Sequence, residues 1–365
     1  MQMEDSAVPP LPLRILAVAE TWHGANSYSY ARAFRRAGHS TTLVAEEWFM
    51  AGGWRSAPLK VLRRALWPLI LKEFNNAVVR EANLLRPHLF FVFKGSMVTP
   101  ETIKTVQRLG AAAINFWPDV SVMAHGSLIP RSLPAYDWVF TTKSFGLADM
   151  RRQLGIECAS FMAHAFDPEV HRPTALDAGD LDQYACDVCF IGTWSPKKQR
   201  LLERFVHLLP HLRIRVWGAQ WQPAKQSLGA AIMGRGVLGT EYAKAIAAAK
   251  VSLAILSEVR AGASDGDKIT SRTFEIPASG GFMLHERTDE VGQYFVEGEE
   301  CAMFSDAEEM AEKANFYLLL DDRRRRIAQA GRQRCLTSGY SVDSSVIEII
   351  AKAAVLQPKQ RRSDP

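Results

Sequence analysis

The sequence predicts an α/β protein built of two parallel-sheet units. Short apolar runs of strand length alternate with amphipathic stretches of helix length from Arg14 to Val355. That periodicity stops between Asp167 and Tyr184, where proline, glycine and acidic residues gather as they do at a domain boundary. A chain of 365 residues is long enough for two domains, each with its own core.

Hydrophobic content of 47% and charged content of 23% are ordinary for a globular protein. The net charge of +5 suits a small anionic ligand and is too weak to argue for nucleic acid. No apolar run reaches the ~18 residues of a membrane span. Met1–Pro12 is acidic, then proline-rich, without a signal-peptide pattern. Five cysteines fit a reducing cytoplasm without a disulfide framework. Cys186 and Cys189 have CxxC spacing, but no second pair completes a zinc site, so both read as ordinary small residues.

In order, Arg14–Ala19 reads as a buried strand, Asn26–Ala37 as a helix and Ser40–Ala45 as a second strand. The turn between the first two elements has one glycine, so a dinucleotide fingerprint is absent. Lys60–Leu85 is helical and interrupted at Pro68. Its 60–72 part interleaves Arg63, Arg64 and Lys72 with leucines and Trp67, a pattern that fits either a solvated domain helix or peripheral contact with an anionic membrane face. Strands follow at Leu89–Phe93, Ala112–Trp117, Trp138–Thr141 and Ala159–Ala163, with helices at Thr99–Leu109 and Ser144–Leu154. Polar clusters come after these strands: Lys94–Ser96, Asp119 and His125. In open parallel sheets ligands bind outside the carboxyl ends of strands. Asp119 and His125 are therefore catalytic candidates, although each also reads as an ordinary loop residue.

The second unit opens with the strand Asp187–Gly192 and a turn into a helix capped by Ser195, with Pro196 at its first position. Lys197, Lys198 and Arg200 crowd that helix start, where cations oppose the dipole unless an anion sits between them. Ile214–Gly218 and Gly236–Gly239 read as strands ending in glycine, and Tyr242–Lys250 as a helix. Then comes the window that organises the chain, Asp265–Gly281. It lies between the strands Val251–Leu256 and Phe282–Leu284, and holds a polar loop and one short helix that Thr270 or Ser271 can cap and Gly280 can end. Lys268 and Arg272 flank the helix start, and Glu275 sits one turn in, placed to accept hydrogen bonds from a diol. The helices Ala307–Leu320, Arg323–Leu336 and Val342–Val355 finish the fold. Arg323–Arg326 reads as an ion-paired face after Asp321 and Asp322.

The stretch Arg272–Arg287 (RTFEIPASGGFMLHER), with Asp267-x7-Glu275, resembles the donor-site segment of GT-B glycosyltransferases, in particular the CgeB-like group related to glycosyltransferase family 4. The family usually has Glu where this chain has Asp267. The resemblance is strongest from Asp187 to Gly339, extends over Lys94–Pro173 with YDWVFTTK (Tyr136–Lys143), and is generic over the first ninety residues. It implies two Rossmann-like domains facing across a cleft, with the last helix crossing back. The implied division is 1–175 (acceptor side), 176–186 (linker), 187–340 (donor side), 341–356 (crossing helix) and 357–365 (disordered tail).

The resemblance further implies transfer of a sugar from a nucleotide-diphosphate sugar to an acceptor hydroxyl, with no cofactor and no metal. Asp267 would face the sugar, and Glu275 would hold the donor ribose. Gly192, Thr193, Lys197, Lys198, Arg200, Lys268 and Arg272 would lie about the phosphates, the strand ends at Gly218 and Gly239 would receive the base, and Thr273 would also belong to the donor site. The expected setting is cytoplasmic, with possible contact at the inner membrane face. Two other readings remain at this stage: a non-catalytic sugar- or polymer-binding relative in a surface or coat assembly, and a sugar-nucleotide epimerase.

Overall fold

A computed structural model describes residues 12–50 and 57–357, with backbone only over 57–63. The first domain comprises β1 (Arg14–Val18), α1 (Asn26–Arg36), β2 (Ser40–Val44), α2 (Ala57–Leu85), β3 (Leu89–Phe93), α3 (Pro100–Arg108), β4 (Ala112–Trp117), α4 (Leu128–Ser132), β5 (Trp138–Thr141), α5 (Gly146–Leu154) and β6 (Ala159–Phe161). After α6 (Ala178–Tyr184), the second runs β7 (Cys186–Ile191), α7 (Pro196–Leu208), β8 (Ile214–Trp217), α8 (Lys225–Leu228), α9 (Thr240–Ala248), β9 (Ala249–Ala254), α10 (Arg272–Ala278), β10 (Met283–Glu286), β11 (Ala302–Phe304), α11 (Ala307–Leu319) and α12 (Asp321–Thr337). The chain closes with α13 (Val342–Leu356).

Two parallel sheets result, ordered β2-β1-β3-β4-β5-β6 and β11-β10-β9-β7-β8. Strands buried on both faces explain the continuous apolar runs: Leu89–Val92 and Ala112–Trp117 have no exposed residue. Strand order reverses between β1 and β3 in the first sheet and between β7 and β9 in the second, and such switch points open a crevice at the carboxyl ends. α13 returns to the first domain, where Val342, Val346, Ile349 and Ala353 share a core with Tyr30, Phe34 and Phe91. Arg36 on α1 ties it down through Asp343 at 2.6 Å.

Four expectations need correction. The helix expected to break at Pro68 runs through it as one 29-residue helix. A proline removes one backbone bond, while Phe74, Ala77, Val78 and Ala82 anchor the later turns in the core. The supposed linker holds α6, because Asp177 and Asp180 form a reciprocal capping box that composition alone conceals. Gly236–Gly239 pairs with no strand; it is a loop whose Gly239 lies against His23 of the first domain. Gln357, assigned to the tail, is fastened by its side-chain amide to the His88 carbonyl at 2.9 Å; the remaining tail, 358–365, lies outside the described residues.

In the 60–72 segment, Trp67, Ile70 and Leu71 pack on the first-domain core, and Leu69 faces outward. The side chains of Lys60, Leu62 and Arg63 lie outside the described residues. Among the described residues no helix is long and apolar enough to cross a membrane.

Candidate active site

The carboxyl ends of the two sheets meet at a cavity of about 530 Å³. The first domain lines it with Asp119, His125, Lys143 and His164; the second contributes Thr193, Lys198, Ser257, Arg260, Asp267 and Thr270–Arg272. A smaller hollow of about 170 Å³ continues from Arg272 to Glu275, Gly192, Gly239 and Tyr242.

Arg272 sits at the second sheet's switch point. Its guanidinium donates to the carbonyls of Ile191, at the end of β7 (3.4 Å), and Ile255, just past β9 (2.8 Å). It also lies 5.4 Å from the centre of the Phe190 ring, a cation–π contact. It pairs with neither Glu275 nor Asp267; carbonyl oxygens aim its charge without neutralising it. Lys198, on the first turn of α7, reaches the same cavity, with Nζ 3.2 Å from the Thr193 carbonyl and 3.1 Å from Ser257 Oγ. Burial, reinforced by Arg272, pulls its pKa down to about 7. Ser195 caps α7 as expected, accepting from the Lys198 N–H.

The other predicted donor-side residues divide. Gly192 and Thr193 line the cavities. Gly218 packs behind them: a Cβ there would stand 1.9 Å from the Gly192 carbonyl oxygen, so any side chain would push the β7 turn aside. Lys197 is drawn to Glu286 at 2.5 Å, Lys268 to Asp265 at 2.7 Å, and Arg200 is exposed on α7. None of these three lines either cavity. Thr273 is fully buried, with Oγ1 accepting from the Thr270 N–H at 3.0 Å and lying 2.8 Å from His285 Nε2. That bond replaces the expected cap, since Ser271 makes no side-chain cap bond. α10 is only seven residues long, and the N–H groups of Thr273, Phe274 and Glu275 already donate to Thr270 and Ser271. Side chains, not free amides, therefore supply the positive charge there.

Asp267 meets Lys143 of the first domain at 2.6 Å, with both side chains almost fully buried. Burial works to raise the Asp267 pKa, but the charge and hydrogen bond of Lys143 outweigh it and hold the carboxyl below its usual value. His164 Nε2 lies 3.2 Å from Lys143 Nζ; burial and that neighbouring charge keep the imidazole neutral, so it accepts from the ammonium. On the far wall, Asp119 takes Lys94 at 2.8 Å and His125 Nε2 at 3.2 Å. Burial depresses the His125 pKa, with Lys94 and Arg260 opposing the pull of Asp119. A proton on the Asp119-facing Nε2 leaves Nδ1 of His125 as a proton acceptor.

Sequence reasoning missed Lys143, His164 and Arg260. Lys143 and His164 follow β5 and β6 and carry the same strand-end signal that marked Asp119; Arg260 lies in a loop with no local motif. A third hollow of about 280 Å³, lined by Glu20, Glu46, Glu47 and Lys94, opens at the first sheet's switch point. Burial pushes Glu46 up to about 7, against the hydrogen bond from the Met97 amide. Cys189 is buried and its thiol is pushed up to about 12, which suits packing and not redox chemistry.

Residues 197–351 match a family described as glycosyl transferase-like. No curated protein matches the sequence. Among solved structures, a glycosyltransferase from Rickettsia africae superposes with a TM-score of 0.63 at 10% identity, covering 95% of this chain and 99% of that one. Sucrose-phosphate synthase from Thermosynechococcus elongatus gives 0.63 at 12% identity over 94% and 99%. HepE from Anabaena, in complex with UDP and glucose, gives 0.59 at 12% identity over 94% and 99%. The fold is GT-B.

Proposed function

We propose that this protein is a CgeB-like glycosyltransferase that moves a hexosyl or related group from a nucleoside-diphosphate sugar to an acceptor hydroxyl without a divalent metal. The observation that carries this reading is the convergence of Arg272, Lys198 and Glu275 on adjoining hollows at the second sheet's switch point, facing Asp119 and His125 across the domain gap. Arg272 and Lys198 stabilise the charge that grows on the leaving diphosphate. Glu275, buried beside Gly239, accepts the ribose hydroxyls. Asp267, held by Lys143, orients the transferred sugar. His125 Nδ1 takes the proton of the acceptor hydroxyl while Asp119 supports the charged ring. The acceptor enters by the acid-lined hollow beside Lys94. The glycosyltransferase-like match over 197–351 and the UDP and glucose of the Anabaena structure support the donor class. Free cysteines, four of five of them buried, fit a cytoplasmic setting.

The same cations support a reading without metal. Asp265 and Asp267 are committed to different lysines, Lys268 and Lys143, and so share no ion site. Transfer assayed over a panel of nucleotide sugars should persist in excess chelator. Loss on chelation with recovery in magnesium or manganese would assign the aspartates to a metal instead. Absence of transfer with every donor and acceptor class, despite nucleotide binding, would favour a non-catalytic sugar-binding relative.

A further inference from the structure

The chain between β9 and α10 crosses the domain gap. Ser121 Oγ donates to the Ala261 carbonyl at 2.7 Å, Gln153 Nε2 donates to the Gly262 carbonyl at 2.6 Å, and the Ser264 N–H donates to Asp149 Oδ2 at 2.8 Å. Gly262, at φ +82°, presses on the first domain so closely that a Cβ would lie 2.7 Å from Met123 Cβ. The stretch 260–264 is thus a strap of second-domain chain fastened to the first domain.

Arg260 begins the strap and lines the 530 Å³ cavity. It stands near enough to both His125 and Lys198 to lower their proton affinity, after burial. Lys94 and Lys143 are neutralised by Asp119 and Asp267. Glu258, the strap's neighbouring acid, lies close to Ser195 and the Lys197 amide at the start of α7 and feels the Arg260 charge without forming an ion pair with it. Among the described residues Arg260 makes no ion pair. Arg260, Arg272 and Lys198 therefore line one cavity with no ion-pair partner of their own among the described residues, Glu258 and Asp267 acting on them only without direct pairing, an arrangement that a multiply charged anion suits.

We infer that Arg260 is a further catalytic residue of the proposed transfer, contacting the donor diphosphate together with Arg272, and that docking of the strap on the first domain delivers it. This rests on the function proposed above. Because the strap is anchored across the gap, its cation is in place only when the two domains are together, which ties charge stabilisation to the exclusion of water.

The test is calorimetric titration of the full chain with UDP, GDP, ADP and dTDP, and with their parent nucleosides, alongside turnover. For the tightest nucleotide, R260Q should lose about tenfold or more in affinity, with unchanged nucleoside affinity and a larger fall in kcat. R260K should recover part of both. G262V should match R260Q, and the double variant R260Q/G262V should be no worse than either, since both remove one interaction. Should G262V fail to fold, Q153A removes a strap bond without adding atoms and should give a smaller loss in the same direction. R260Q with unchanged affinity and turnover overturns the inference and leaves the proposed function standing. Additive losses in the double variant, or an unaffected Q153A, overturn delivery by the strap. A wild-type protein that binds no nucleotide overturns the proposed function and this inference together.

Discussion

Replacing Arg272 by alanine should cut turnover by about 10²–10³-fold while nucleotide affinity falls far less. The asymmetry comes from timing. The leaving diphosphate carries its greatest charge in the transition state, so a fixed cation there contributes more to kcat than to ground-state binding. Arg272 is suited to this role because its guanidinium is oriented in advance by the Ile191 and Ile255 carbonyls and the Phe190 ring, leaving its charge uncompensated. A lysine substitution should recover little, since it reproduces neither the fork of donors nor the flat contact with the ring. An Arg272→Ala enzyme with unchanged kcat would reduce the residue to a structural cation joining two strand ends.

Replacing Lys143 by methionine should cost about 3–5 kcal/mol of stability near neutral pH, read from urea denaturation. The loss is large because both members of the Lys143–Asp267 pair are almost fully buried, and removing one leaves the other's charge without a partner. The pH dependence has a definite sign. In the wild type the folded pKa of Asp267 lies below its ordinary value, so the carboxylate contributes stability above about pH 4 that is lost as pH falls through the folded value. In the variant, burial is opposed only by the lesser effects of His164 and Ser257 and raises that pKa, so the deficit is greatest at neutral pH and narrows as acid protonates Asp267. A deficit that is small or independent of pH would mean that water, and not Lys143, compensates the carboxylate. The pair spans the two domains, so the same variant should also raise the KM for donor.

The two-sheet architecture was legible because parallel strands buried on both faces leave unmistakable apolar runs, such as Leu89–Phe93 and Cys186–Ile191. The misread elements were those where a local signal meets a tertiary one. Pro68 carries a breaker's signature, but core packing beyond it overrides the lost bond. Asp177 and Asp180 build a helix out of residues that also mark linkers. Gly236–Gly239 alternates like a strand end, yet it pairs with no strand and only packs Val237 against β7 and β8. At the site, Arg272, Glu275, Asp119 and His125 could be picked out because each follows a strand end or a helix start. The sorting of Lys197, Lys198 and Arg200 could not. Three cations within one turn point in different directions, and only the fold shows that Lys198 faces the cavity while Lys197 meets Glu286. Lys143 and Arg260 act across the domain gap, and such pairing depends on the relative placement of two domains that no local pattern records.

The central claim is that the second domain's switch point holds a nucleoside diphosphate, with its ribose on Glu275. Calorimetric titration of wild-type and Glu275→Ala proteins tests it most directly. The wild type is expected to bind one nucleoside diphosphate, and the folded variant to bind it weaker by about 1.5–3 kcal/mol, the worth of a hydrogen bond to a charged group. Equal affinity in the two proteins would contradict the account.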